Sequence, residues 1–181
     1  MVITKTLAER RRLPLLSAMG RDLAQEGRLR TSTAAAMWTG YAAHTVVTAW
    51  ALRRRSLPLP FPARSSQVAG AVVAVAGAGL CMSAMSMFTS PRELTGTRNQ
   101  AFTTTGVYRY SRNPQYLGYL LVLTGAALAR RSGSAHASAG ALAAAYVAWV
   151  PVEETHLTRL HGDAHADYTR QTHRWLGRAQ R

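Results

Sequence analysis

Four stretches of this chain run for a helix length without a charged side chain: residues 31–52, 68–88, 113–129 and 132–152. A soluble helical bundle breaks such runs with charges every three or four residues, because one face of each helix meets water. Three of the runs reach the roughly 20 residues that a helix needs to cross the hydrocarbon core, and the third in order is shorter. All are rich in Ala, Gly, Val and Leu, the composition of helices that pack closely in lipid. The pattern predicts an all-α integral membrane bundle of about four transmembrane helices. Their expected ranges are 31–52, 68–89, 114–129 and 135–160, in one domain over residues 31–181 that ends in a tail at 161–181.

The segments outside the runs read differently. Residues 3–30 mix Leu, Ala and Met with Arg, Glu and Asp at helical spacing; Pro14 divides them, and Gly20 and Gly27 weaken the second half. Residues 1–30 therefore predict an amphipathic surface segment or a partly disordered one. Lys5, Glu9 and Arg10 to Arg12 interrupt the start before any apolar core forms, so it does not read as a signal peptide. The linker 53–64 holds Pro58, Pro60 and Pro62 and predicts extended backbone. In the second run, small residues recur every fourth position (Gly70, Ala74, Ala78; Ala71, Val75, Gly79), a spacing that lets another helix approach. The step Gly77-Ala78-Gly79 also leaves room for a ligand beside the backbone.

Charge changes the picture of the partner. There are 22 Lys and Arg against 8 Asp and Glu, a formal net charge of +14. In a soluble protein that excess points to nucleic acid. Here nearly every Arg lies outside the apolar runs, and no zinc-finger spacing or aromatic-interleaved basic strand is present. The bilayer and its anionic headgroups are the expected partner, and nucleic acid is not. Residues 1–32, 90–115 and 153–181 carry 16 of the Lys and Arg residues, and the linkers 53–64 and 130–136 carry the other 6. The excess puts both termini in the cytoplasm, with Arg53, Arg54 and Arg55 pulling the other way. The single Cys81 lies inside the second run, which excludes an internal disulfide and leaves it as a small hydrophobe.

Chemistry-bearing residues collect at two helix ends on the expected cytoplasmic side. Residues 105–118 read Thr-Gly-Val-Tyr-Arg-Tyr-Ser-Arg-Asn-Pro-Gln-Tyr-Leu-Gly. Asn113-Pro114 is a helix start, with Asn suited to the cap and Pro to the first turn. The free N–H groups beyond it can receive an anion such as a carboxylate. The last run ends in Glu153-Glu154 after Pro151. Carboxylates there oppose the helix dipole, unless the helix continues to about Leu160 or they bind a cation. His161 and His165 are four apart, but Gly162 lies between them and no third ligand or general base completes a zinc-protease pattern, so no metal is expected.

Together these pieces resemble the isoprenylcysteine carboxyl methyltransferase and phospholipid N-methyltransferase group of membrane enzymes. That group shows Gly-Pro-Tyr-Arg and Arg-His-Pro-x-Tyr-x-Gly elements, then a Glu pair with a downstream Leu, Gly and Tyr, and a terminal Arg-aromatic. This chain has Gly106-Val107-Tyr108-Arg109, Arg112-Asn113-Pro114-Gln115-Tyr116-Leu117-Gly118, Glu153-Glu154, Leu157, Gly162, Tyr168 and Arg174-Trp175. The step Gly77-Ala78-Gly79 is similar to a glycine motif of phospholipid methyltransferases. The resemblance covers about residues 68–177. Asn113 stands where the group usually has His, and it cannot titrate. His161 replaces an aromatic, and His165 stands where Tyr is common.

The resemblance implies S-adenosyl-L-methionine as cofactor and a membrane-partitioned, lipophilic acceptor: a phospholipid amine, a prenylated carboxylate or a small hydrophobic metabolite. It implies a cofactor site of Gly77, Gly79, Tyr108, Arg112, Asn113, Pro114, Tyr116, Gly118, Glu153 and Glu154. Glu153 and Arg174 are the residues expected at the chemistry. Carboxylates complement the cofactor's sulfonium and ammonium; Arg112, Asn113, Tyr116 and the helix start complement its carboxylate. Arg174 is expected either to steer an anionic part of the acceptor or, with Trp175, to anchor the tail at the interface. Membrane sterol reductases share the Arg-His-Pro-x-Tyr-x-Gly element and bind a nicotinamide cofactor, but they lack the Glu pair, so Glu153-Glu154 favours methyl transfer. A non-catalytic membrane protein that gathers anionic lipid is the remaining alternative.

Overall fold

The computed structural model describes residues 14–88 and 103–177. Its helices are α1 (Pro14–Glu26), α2 (Thr31–Arg54), α3 (Ala63–Met85), α4 (Pro114–Ala129) and α5 (Gly133–Gln171), with a 3-10 turn at Gly106–Arg109 before α4. Among the described residues there is no strand, and an isolated bridge pairs Pro58 with Ser132. The fold is all-α. Two helices, α3 and α5, are long and apolar enough to cross a membrane, and α4 is apolar but has 16 residues, about 24 Å of rise. The α2 sequence is diluted by Thr31, Ser32, Thr33, Thr39, His44, Thr45 and Thr48, and does not meet the same measure.

Boundaries differ from expectation where local chemistry extends a helix past its apolar run. The α3 helix starts at Ala63, five residues before Val68, with Pro62 in the N-cap position and no side-chain cap. The α5 helix continues beyond Glu153 to Gln171, with a break at Gly162 (φ 50°, ψ −123°). Pro14 is the first described residue and lies in the first turn of α1, and Gly20 sits inside that helix. The chain turns at Gly27, whose φ of 69° suits glycine. Residues 1–13, on which part of the disorder expectation fell, lie outside the described residues. Met19 of α1 is buried against Leu29, Ala34, Met37 and Trp149, and Asp22 accepts the Arg30 backbone N–H at 3.1 Å.

The α3–α4 contact is the most extensive between helices, and two glycine pairs account for it. A Cβ built at Gly70 would lie 2.5 Å from the Gly125 carbonyl oxygen, and one at Gly125 would lie 2.6 Å from that of Gly70. One turn-pair along, Cβ atoms at Gly77 and Gly118 would each lie 2.7 Å from the other's carbonyl oxygen. Both helices place these glycines seven residues apart, so the antiparallel pair meets backbone to backbone along one seam. The contact stripe shifts from Gly70 and Ala74 to Gly77 and Cys81 rather than continuing to Ala78. Gly79 points into open space.

The α2–α5 contact is polar by comparison. His44 Nε2 lies 3.0 Å from the Ser138 carbonyl oxygen, and the Thr48 and Ser138 hydroxyls are 2.7 Å apart. The linkers at the far end are tied together: Leu59 N–H donates to Arg131 O at 2.9 Å and Gly133 N–H to Leu57 O at 2.8 Å. The helices therefore run up and down. The starts of α2 and α4, the end of α3 and the Glu pair of α5 share one end of the bundle. A Gly77→Ala or Gly118→Ala substitution is expected to cost about 1–3 kcal/mol by forcing α3 and α4 apart. Thermal unfolding in detergent should show that loss, while Gly79→Ala, which meets nothing, leaves the transition unchanged or higher.

Candidate active site

Residues 108–113 and 168–177 are remote in sequence but laced together in space. Arg112 N–H donates to His173 O at 3.1 Å, and Gly177 N–H donates to Tyr110 O at 2.9 Å. The Tyr168 hydroxyl donates to Tyr108 O at 2.7 Å, and Asn113 Nδ2 donates to Arg174 O at 3.1 Å. Asn113 holds the N-cap position of α4 as expected, but without the capping role. Its side chain makes no capping bond and holds the tail instead. Pro114 does occupy the first turn of α4.

The lacing brings two arginines to one carboxylate. Arg112 Nη2 lies 3.0 Å from Glu154 Oε1, with both side chains largely buried. Arg174 approaches the same carboxylate from the rim: Nη2 is 2.6 Å from Oε2, and Nε is 3.1 Å and 3.2 Å from the two oxygens. The hydrogen bonds it donates to Glu154 hold the Arg174 guanidinium above its ordinary pKa. Arg112 Nη1 reaches Thr169 O at 3.4 Å, while its Nε is buried with no hydrogen-bond partner among the described residues.

Glu153 is held differently. The Tyr116 hydroxyl sits 2.9 Å and 3.1 Å from its two oxygens, and no ion pair among the described residues uses it. Tyr116 stacks on Tyr146 at 4.4 Å between ring centroids, and the Tyr146 and Tyr41 hydroxyls are 3.2 Å apart. Two adjacent carboxylates thus have separate surroundings: one is neutralised by guanidinium groups, the other is oriented by a phenol.

A cleft opens on these groups. Tyr108, Arg112, Asn113, Glu153 and Glu154 line it, together with Gln115, Leu157, His165, Tyr168, Met87, Phe88 and Thr103. Burial, with Tyr168 nearby, pushes the Tyr108 phenol above its ordinary pKa, so it stays protonated and donates to Gln115 Oε1 at 3.1 Å. Of the residues expected at the site, Tyr116 stands behind Glu153 and Arg174 stands at the rim. Gly77 and Gly118 lie in the α3–α4 seam, and neither they nor Gly79 line the cleft. In the sequence, Gln115, Leu157 and His165 stand as motif positions or departures but not as cofactor-site residues, and the Met87-Phe88 wall is not singled out at all. The spacing of 154, 157, 165 and 168, multiples of three and four, was the available signal for the α5 residues.

Burial decides which partner matters most. Removing Glu154 leaves the buried Arg112 guanidinium uncompensated, so Glu154→Gln is expected to cost about 3 kcal/mol. Arg174 is 40% exposed, so Arg174→Ala should cost about 1 kcal/mol or less. Denaturant unfolding of the two variants in detergent checks the order.

A family model described as "Phospholipid methyltransferase" matches residues 65–164, a span that holds Arg112, the start of α4 and the Glu pair and stops short of Arg174. No curated protein and no solved structure matches the chain. The matched span, with the cleft that its residues line, assigns the chain to the phospholipid methyltransferase family.

Proposed function

We propose that this chain transfers a methyl group from S-adenosyl-L-methionine to an amphipathic acceptor held in the membrane, at the cytoplasmic end of a four-span bundle. The observation that carries the reading is the unequal pair Glu153 and Glu154 in a cleft beside a buried, unspent donor. Glu153 has no cationic partner among the described residues, so a cationic ligand would meet an uncompensated carboxylate. Arg112 Nε is buried without an acceptor, so an anionic group would meet an open donor. The α4 start adds backbone N–H groups. Met87, Phe88 and Leu157 offer apolar wall. A cofactor with a sulfonium, an ammonium, a carboxylate and an aromatic base matches that donor set.

When bound, the cofactor supplies an electrophilic methyl on a positively charged sulfur. Glu153, oriented by Tyr116, would balance the positive charge next to the reacting centre. Where the acceptor is an amine, the Glu153 carboxylate would also take its proton. Arg112 and the α4 start would fix the carboxylate end of the cofactor. The protein's contribution is alignment and a prearranged electrostatic setting, which is what methyl displacement requires. Arg174, already at the rim, would meet the phosphate or carboxylate of an acceptor arriving from lipid. The 16-to-6 distribution of Lys and Arg favours cytoplasmic termini, and with them a cytoplasmic site.

Membranes containing the protein, incubated with methyl-labelled cofactor, should yield a labelled lipid-soluble product identifiable by mass spectrometry. Absence of any labelled product would sink the proposal. S-adenosylhomocysteine should raise the thermal transition and NADPH should not; the reverse would favour the reductase chemistry. Arg174→Ala is expected to lower turnover and weaken acceptor affinity while S-adenosylhomocysteine binding persists. Equal loss of both would put Arg174 in the cofactor pocket instead.

A further inference from the structure

The end of the bundle away from the cleft carries an uncompensated positive surface assembled from two linkers. Arg53, Arg54 and Arg55 end α2 and Arg64 begins α3, while Arg130 and Arg131 join α4 to α5. The hydrogen bonds from Leu59 to Arg131 and from Gly133 to Leu57, with Ser134 N–H to Ser56 O at 3.3 Å, bring these linkers side by side. Two of the arginines are braced: Arg130 Nε donates to Leu52 O at 3.2 Å, and Arg131 Nη1 to Phe61 O at 3.0 Å. Bracing against carbonyls sets their direction without using their charge.

Among the described residues no acid offsets them. The eight Asp and Glu residues are at positions 9, 22, 26, 93, 153, 154, 163 and 167, none in either linker. Every ion pair among the described residues belongs to the cleft end or its neighbourhood. The same end exposes Trp50, Leu57 and Phe61, which are 55%, 71% and 50% exposed. Cationic groups beside exposed apolar and aromatic side chains, at the end of apolar helices, complement a phosphate headgroup above acyl chains.

We infer that this collar is a seat for anionic phospholipid, on the bilayer face opposite the cleft and separate from the acceptor. Its ligand chemistry is a phosphodiester that carries net negative charge, bound by guanidinium groups while Trp50, Leu57 and Phe61 enter the acyl region. It rests on the membrane reading but not on methyl transfer, so it survives even if the cleft proves inactive.

The test uses the purified full chain in phosphatidylcholine vesicles with and without phosphatidylglycerol, following the thermal transition. Phosphatidylglycerol should raise the midpoint by roughly 3–6 °C, and added salt should reduce the gain. The triple variant Arg53→Gln, Arg54→Gln, Arg64→Gln leaves the braced residues in place and should keep the phosphatidylcholine midpoint while losing most of the gain. A gain that persists undiminished in that variant would take the effect away from Arg53, Arg54 and Arg64 and overturn the inference, as would no gain in the parent chain. An equal gain from a short soluble RNA, lost in the same variant, would make the collar a nucleic-acid surface and overturn it too.

Discussion

The cleft depends on one carboxylate shared by two guanidinium groups. Glu154 is reached by Arg112 from the segment before α4 and by Arg174 from the segment after α5. These segments lie about 60 residues apart in the chain, and the shared charge joins the ends of two helices into one wall. A buried charge without a partner is far more costly than an exposed one, so Arg112 and Glu154 must assemble together. That leaves the neighbouring Glu153 without a cationic partner among the described residues and oriented by the Tyr116 hydroxyl. The contrast between the two acids is what gives the cleft a polarity that a ligand can read.

Packing far from the cleft sets this geometry. The glycine pairs Gly70–Gly125 and Gly77–Gly118 draw α3 and α4 into backbone contact, and Met87 and Phe88 after α3 reach the cleft, Met87 beside Gly106. The linkers at the other end close α2 to α5 through Ser132, whose hydroxyl donates to Ala51 O at 3.0 Å and accepts the Ala135 N–H at 3.2 Å. The two ends of the bundle then differ in kind. One gathers every acid in the described residues, and the other gathers six arginines with none.

Much of this was legible in the sequence, and the reasons are specific. Apolar runs located α2 to α5, because helix length and the absence of charge are local properties. The pairing of Asn113-Pro114 with Glu153-Glu154 at one end followed from alternating helix direction. What the sequence hid was competition for partners. Asn113 has the residue type of a cap, yet its amide serves the Arg174 carbonyl. Gly77 and Gly118 have the residue type of a ligand cradle, yet each accommodates the other's backbone. Both acids looked alike in sequence, and only the tail folding back revealed that Arg174 occupies Glu154. The register of the α3 stripe also escaped, since a seven-residue repeat and a four-residue repeat share Gly70 and Ala74 before they diverge.

The central claim, that a cationic nucleoside cofactor sits between Glu153 and Arg112, is tested most directly by calorimetric titration of S-adenosyl-L-methionine. The parent chain and Glu153→Gln, both in detergent, are the two proteins to compare. The account predicts micromolar-range binding to the parent chain and a loss of about tenfold or more in the variant, as expected when a poorly solvated opposite charge is removed. Absence of binding to the parent chain, or equal affinity in the two proteins, would contradict it.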